Sequence, residues 1–370
     1  MKTVNFISSR LAFKGRISVA AIAVSFFVII ISVAISSGFR HGISDAVASA
    51  AGDVSVNVEG EDIQERISEI LCVAGVKSVT PAIYAGGMVK SGDEISGVMV
   101  KGVPREGASP LSVSVPDKLA SQLGIKVSDP LLTYFADEKV KVRKFTVDEI
   151  HPSHFSFGES GAVTLIASIE DIRKVADVGE GGASVLEVTL DDRFRSEGAM
   201  RSKAGEISCL TGLYATAAVD RFGNLYSWLE IIEANVLAIL VLMSIVAGFN
   251  MISGLLIMLF RETSTIGTLK TLGMGDTQIS KVFLQVAART TLKGMAAGNA
   301  AALLFCLVQG ITHVVKLNPD NYFLSYVPIH VNLPLVLAAD AAAFAVIMLL
   351  NLLPVLFVAK VDPAVTVRVK

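Results

Sequence analysis

The chain has 370 residues, of which 52% are hydrophobic and 18% charged, with a formal net charge of −2. Such a composition is too apolar for most soluble enzymes, and the charge balance excludes a nucleic-acid partner held by an excess of positive charge. The charges are also sorted by region: the stretch from Arg40 to Glu230 holds 19 basic and 28 acidic side chains, whereas the short flanking segments are basic.

Residues 1–16 predict a short amphipathic cytoplasmic helix, with Val4, Phe6, Ile7, Leu11 and Phe13 apolar among Lys2, Arg10 and Lys14. Its expected place is the membrane headgroup level. A first apolar span follows at residues 17–38. Its apolar run exceeds the ~7–15 residues of a signal-peptide core, so it reads as a retained span. Ser18, Ser25 and Ser32 recur every seven residues and share one helical stripe, as small polar residues at a helix–helix contact do.

Residues 39–226 are expected to form a large extracytoplasmic α+β domain. The helix should continue past the membrane through Ile43, Ala46, Val47 and Ala50, after which strict alternation in Val54, Val56 and Val58 marks a strand. Residues 61–71 read as an amphipathic helix. Separate strand pieces are predicted at 76–79, 83–89 and 96–102, then a helix at 117–123 stopped by Gly124. Further strands fall at 131–135, 140–147, 163–167 and 185–190, with a short helix at 169–175. Cys72 and Cys209 lie in this domain and either pair or remain separate small hydrophobes. His151 and His154 lack the companions of a known metal spacing and read as a polar loop.

A second span with an outward stalk covers 227–260, a connection covers 261–281, and a third span covers 282–311, where Gly294 and Gly298 permit close packing. A loop at 312–332, a fourth span at 333–358 and a tail at 359–370 complete the chain. The fold class is therefore a membrane protein with four transmembrane α-helices and one large domain between helices 1 and 2. Basic residues cluster in both termini and in 261–281, so the positive-inside rule puts these in the cytoplasm and the large domain outside. Asp340, inside the fourth span, is costly in lipid and needs either water or a polar neighbour.

The connection carries an apolar stripe, Ile266, Leu269 and Leu272, that ends at Gly273. A turn this short gains nothing from such a stripe unless it packs against something. The run from Arg261 and Glu262 through Ile266-Gly267-Thr268-Leu269-Lys270-Thr271-Leu272-Gly273-Met274, followed by Ile279, Phe283 and Gln285, resembles the coupling segment of ABC-transporter permeases of the FtsX/MacB superfamily. Asn318-Pro319-Asp320 before the last span, Pro354 within it and Val361-Asp362-Pro363-Ala364 after it extend the resemblance. Leu119 to Ile125 and Ile169 to Ile172 look like stretches of the lipoprotein-releasing Lol permeases.

That resemblance implies a dimeric inner-membrane permease, made of two copies or of two related chains, driven by a separate ABC ATPase subunit. No G-x-x-x-x-G-K-[ST] phosphate loop occurs in the sequence, so this chain is expected to bind no cofactor or metal, with ATP and Mg held by the partner. By resemblance, Arg261, Glu262, Ile266, Gly267, Leu269, Lys270, Leu272 and Gly273 contact the ATPase, with Ile266, Leu269 and Leu272 as knobs in its groove. The cargo of the Lol branch is a lipoprotein. Phe26, Phe27, Ile30, Ile31, Met243, Phe249 and Met251 are the candidates for lining a cavity for its acyl chains beside membrane lipids. A periplasmic carrier is a further partner of that branch, but the stretch 135–144 is short and charged where a carrier-binding hairpin is long. Two other readings within the superfamily are signalling to a cell-wall hydrolase and efflux with an adaptor.

Overall fold

The computed structural model describes residues 16–58, 63–91, 94–105, 107, 109–136, 140–151, 163–317 and 326–358. Residues 1–15 of the expected N-terminal helix, His154, the Asn318 motif and the tail from 359 lie outside them.

Four helices are long and apolar enough to cross a membrane. They are α1 (Arg16–Ala51), α7 (Gly223–Arg261), α9 (Asp276–Thr312) and α10 (Leu333–Leu350), the last continued by α11 (Leu352–Val358). At 1.5 Å per residue, the 36 residues of α1 and the 39 of α7 reach roughly 54 and 58 Å, well beyond a ~30 Å hydrocarbon core. The chain divides into two compact units, one of long helices and one spanning His41–Trp228, and both α1 and α7 run unbroken from one unit into the other.

In the helical unit, Ile22, Phe26, Ile29 and Ile30 of α1 pack into one core with Met251 and Leu255 of α7, Phe283 of α9 and Ile347 of α10. The serine stripe faces this contact: Ser25 is buried and its hydroxyl donates to the Ala21 carbonyl at 3.2 Å. Arg40 of α1 forms an ion pair with Glu233 of α7. The fourth span is expected to be one helix, but it breaks at Asn351. Pro354 has no N–H to offer the carbonyl of residue 350, and the Asn351 amide donates instead to the Ile347 carbonyl at 2.6 Å.

The second unit is α+β. Its strands are β1 (Val54–Asn57), β2 (Val76–Ser91), β3 (Glu94–Val103), β4 (Ser112–Pro116), β5 (Pro130–Ala136), β6 (Val140–His151), β7 (Val163–Ser168), β8 (Val185–Leu190) and β9 (Ala215–Ala217). The first half of β2 joins β8, β1 and β9 in an antiparallel sheet. Its second half pairs with both β3 and β5, and the pairings β3–β7, β7–β4, β4–β6 and β6–β5 close a six-stranded barrel. Closure removes the edges that an open sheet would expose. Val89, Val100, Val113, Leu131, Phe145 and Leu165, each at most 1% exposed, fill the barrel.

Two pieces predicted separately, 76–79 and 83–89, are therefore one strand. Pro81 sits where β8 alone flanks β2, so its missing N–H leaves the ladder intact. Helix α2 (Ile63–Leu71) buries Ile63 and Ile70, and α5 (Glu197–Thr211) buries Met200, Ala204, Ile207 and Thr211 at helical spacing. Helix α3 (Asp117–Leu123) ends on Gly124, and α4 is shorter than expected, Ile169–Arg173. The short helix α6 (Ala218–Arg221) leads into α7. Cys72 and Cys209 are exposed and unbonded. At the end of α1, Arg195 reaches Asp45 at 2.6 Å, Asp192 at 3.2 Å and the buried Asp53 at 3.3 Å. Burial pushes the Asp53 carboxyl above its ordinary range, against the pull of the Leu190 N–H and Arg195.

Candidate functional site: the coupling segment and the spans

Helix α8 (Thr263–Thr271) forms the connection between α7 and α9. Glu262 stands at its start, where its carboxylate accepts from the Thr265 hydroxyl at 2.8 Å. Gly273 stops it with φ of 89°, a left-handed conformation that costs a side-chain-bearing residue but not glycine. Lys270 then reaches Asp276 at 2.9 Å across the turn into α9.

The apolar stripe does not present three knobs outward. Ile266 is 2% exposed and belongs to the core of the helical unit with Ile279 and Phe283, and Gly267 beside it is buried. Leu269 is half-buried, whereas Leu272 is 79% exposed and Phe260, just before the segment, is 75% exposed. The stripe therefore splits by role: Ile266 ties α8 to the spans, and Leu272 remains available outside. Arg261 is exposed, and Glu262 and Lys270 are half-buried.

The residues considered for an acyl-chain cavity also divide. Phe26, Ile30 and Met251 are fully buried and pack within this single chain, so they are core residues and not an open wall. Phe27, Ile31 and Met243 lie partly buried against the same core, and Phe249 is 59% exposed. Periodicity locates an apolar helix face but does not say which neighbour covers it.

Asp340 is buried, and its partner is a neighbouring helix: the Asn299 amide of α9 donates to its Oδ2 at 2.5 Å. His151 contacts the Ser114 hydroxyl through Nδ1 at 2.8 Å. The hairpin of β5 and β6 closes tightly, with Ala136 paired to Val140.

A multi-pass span bundle, a coupling turn and a sheet-rich domain inserted after the first span define a permease-type membrane protein. Residues 237–363 match the family described as FtsX-like permease C-terminal. The chain thus carries an FtsX-like permease domain, and its resemblance to FtsX/MacB superfamily permeases of the Lol type is borne out. Among curated relatives it is 22% identical to the lipoprotein-releasing system transmembrane protein LolC of Xylella fastidiosa, covering 97% of this chain and 94% of that protein. It is 20% identical to LolE of Haemophilus influenzae over 95% of this chain and 93% of that one. The solved periplasmic region of MacB from Actinobacillus actinomycetemcomitans matches 48% of the chain at 12% identity, with a TM-score of 0.30.

Proposed function

We propose that the chain is the transmembrane subunit of an ABC transporter that releases lipoproteins from the outer leaflet of a bacterial inner membrane. A separate ATPase subunit supplies the energy. The supporting observation is similarity along nearly the whole chain to relatives named as lipoprotein-releasing transmembrane proteins, together with the FtsX-like domain. In this reading both termini and α8 are cytoplasmic and the domain of β1 to β9 is periplasmic. The clustering of Lys and Arg in short segments supports that orientation.

The coupling surface is then Leu272 and Phe260, with Arg261, Glu262 and Lys270 as polar contacts and Leu269 at its edge. Ile266 and Gly267 act from inside, transmitting movement of α8 to α7 and α9. Glutamate at Leu272 places a charge on an exposed position, so the fold stays intact while an apolar contact is lost. L272E is expected to lower co-purification of the ATPase at least about tenfold, since burying an unpaired charge costs more than the ~1.4 kcal/mol that a tenfold change represents. Unchanged recovery of the ATPase would remove Leu272 from the interface.

Depletion of the chain tests the cargo. Triacylated lipoproteins should accumulate in the inner membrane and co-purify with the permease–ATPase complex. A co-purifying cell-wall hydrolase, or an export adaptor, with lipoprotein sorting unchanged, would instead assign the motion to one of the other two activities.

A further inference from the structure

The second unit contains a cavity of about 440 Å³, within the range of small-molecule sites. One wall is the outer face of the barrel, and the other is the end of α1 with β8. Its deepest charges are already satisfied. Lys101 pairs with Glu187 at 2.7 Å, both side chains 7% exposed, and its ammonium also donates to the Ala50 carbonyl. Tyr84 donates its hydroxyl to the other oxygen of Glu187.

Two donors on the same cavity are not satisfied. The Thr164 hydroxyl belongs to a residue 5% exposed, and its oxygen has no hydrogen-bond partner among the described residues. The Arg105 guanidinium gives one nitrogen to Asp148 at 3.0 Å, while its buried Nη1 has no partner among them. Buried donors left unpaired cost about 1–3 kcal/mol each, and a ligand that brings acceptors recovers this. Toward the opening, Pro104 and Glu149 are exposed, and Glu149 brings an acceptor rather than a donor.

This polarity selects the ligand. A bare anion would meet the carboxylates of Glu149 and Glu187, and a bare cation would meet Arg105. A molecule with an oxyanion at one end and N–H groups at the other suits both. We propose that the cavity binds a small carboxylate-bearing zwitterion, an amino acid or the free C-terminal end of a short peptide. Its carboxylate lies inward at Arg105 and Thr164, and its amine or amide N–H lies outward at Glu149. Val103 and Ile166 provide apolar lining for a small side chain.

The test is titration calorimetry on the full chain in nanodiscs with four probes: L-alanine, trialanine, trialanine amide and inorganic phosphate. Saturable binding of L-alanine or trialanine is expected, and which of the two binds tighter identifies the source. The amide, lacking the carboxylate, should bind at least about tenfold more weakly than trialanine. T164V, close in shape to the parent, and R105Q should each weaken the favoured probe several-fold, and T164V should do so without lowering the melting temperature. Should R105Q not fold, T164V alone decides. Absence of saturable binding with all four probes overturns the proposal, as does binding of phosphate without trialanine or equal binding of the amide. Affinity unchanged in T164V places the ligand elsewhere and overturns it as well. The readout is independent of lipoprotein release, so failure here leaves the transport reading untouched.

Discussion

Substituting Lys101 by methionine is expected to lower the melting temperature of the sheet-rich unit by roughly 6–20 °C. The physical reason is the carboxylate left behind. Glu187 is 5% exposed and would lose its only ion-pair partner, Lys101, recorded among the described residues. Breaking one half of a buried pair costs about 3–5 kcal/mol, and each kcal/mol shifts a domain of this size by about 2–4 °C. Lys101 itself gains little from its position. Burial pushes its ammonium below the usual lysine range despite the pull of Glu187. The double variant K101M/E187Q should therefore recover at least half of the loss, because glutamine still accepts from Tyr84 and carries no charge. Scanning calorimetry of the full chain would decide: equal losses in the single and double variants would mean that packing of the lysine stem, not charge, sets the cost.

Gly298→Ala should destabilise the span bundle, although alanine is ordinarily favoured over glycine in a helix by about 1 kcal/mol. A Cβ at position 298 would lie 2.4 Å from the Ala23 carbonyl oxygen and 2.9 Å from the Phe26 Cβ of α1. Backbone cannot swing aside as a side-chain tip can, so α9 and α1 must separate. Overpacking of this kind costs about 1–3 kcal/mol. Gly310 lies on the same helix, and nothing comes within 4 Å of a Cβ built there, so G310A is the matched control and should be neutral or stabilising. The fraction of monodisperse protein after heating in detergent should fall for G298A alone. Equal behaviour of the two variants would show that the helices are free to move apart.

Both expectations depend on tertiary neighbours, and they mark where sequence reading stops. The long apolar runs, the change from helical period to strict alternation after Gly52, and the coupling turn ending at Gly273 are local patterns, so they are visible residue by residue. Gly294 and Gly298 were recognisable as close-packing positions because small residues recur at one helix face. Strand β4 and helix α5 escaped notice: β4 is short and serine-rich, and α5 buries only four side chains along 15 residues. Reading β2 as two pieces was a consequence of taking Pro81 as a strand breaker, when its single-flanked place tolerates it.

The sheet-rich domain inserted after the first span and the four membrane crossings follow from the amino-acid order alone, because hydrophobic length and period are properties of neighbouring residues. The two sides of the coupling stripe, the closure of the barrel and the pairing of Asn299 with Asp340 do not. Ile266 and Leu272 are alike in polarity and lie six residues apart, yet one is buried among the spans and the other is exposed. Lys101 and Glu187 are 86 positions apart and meet only because strand pairing brings β3 and β8 to one cavity. Burial is decided by what the fold packs against a side chain, and that neighbour is set by long-range register, which no local pattern encodes.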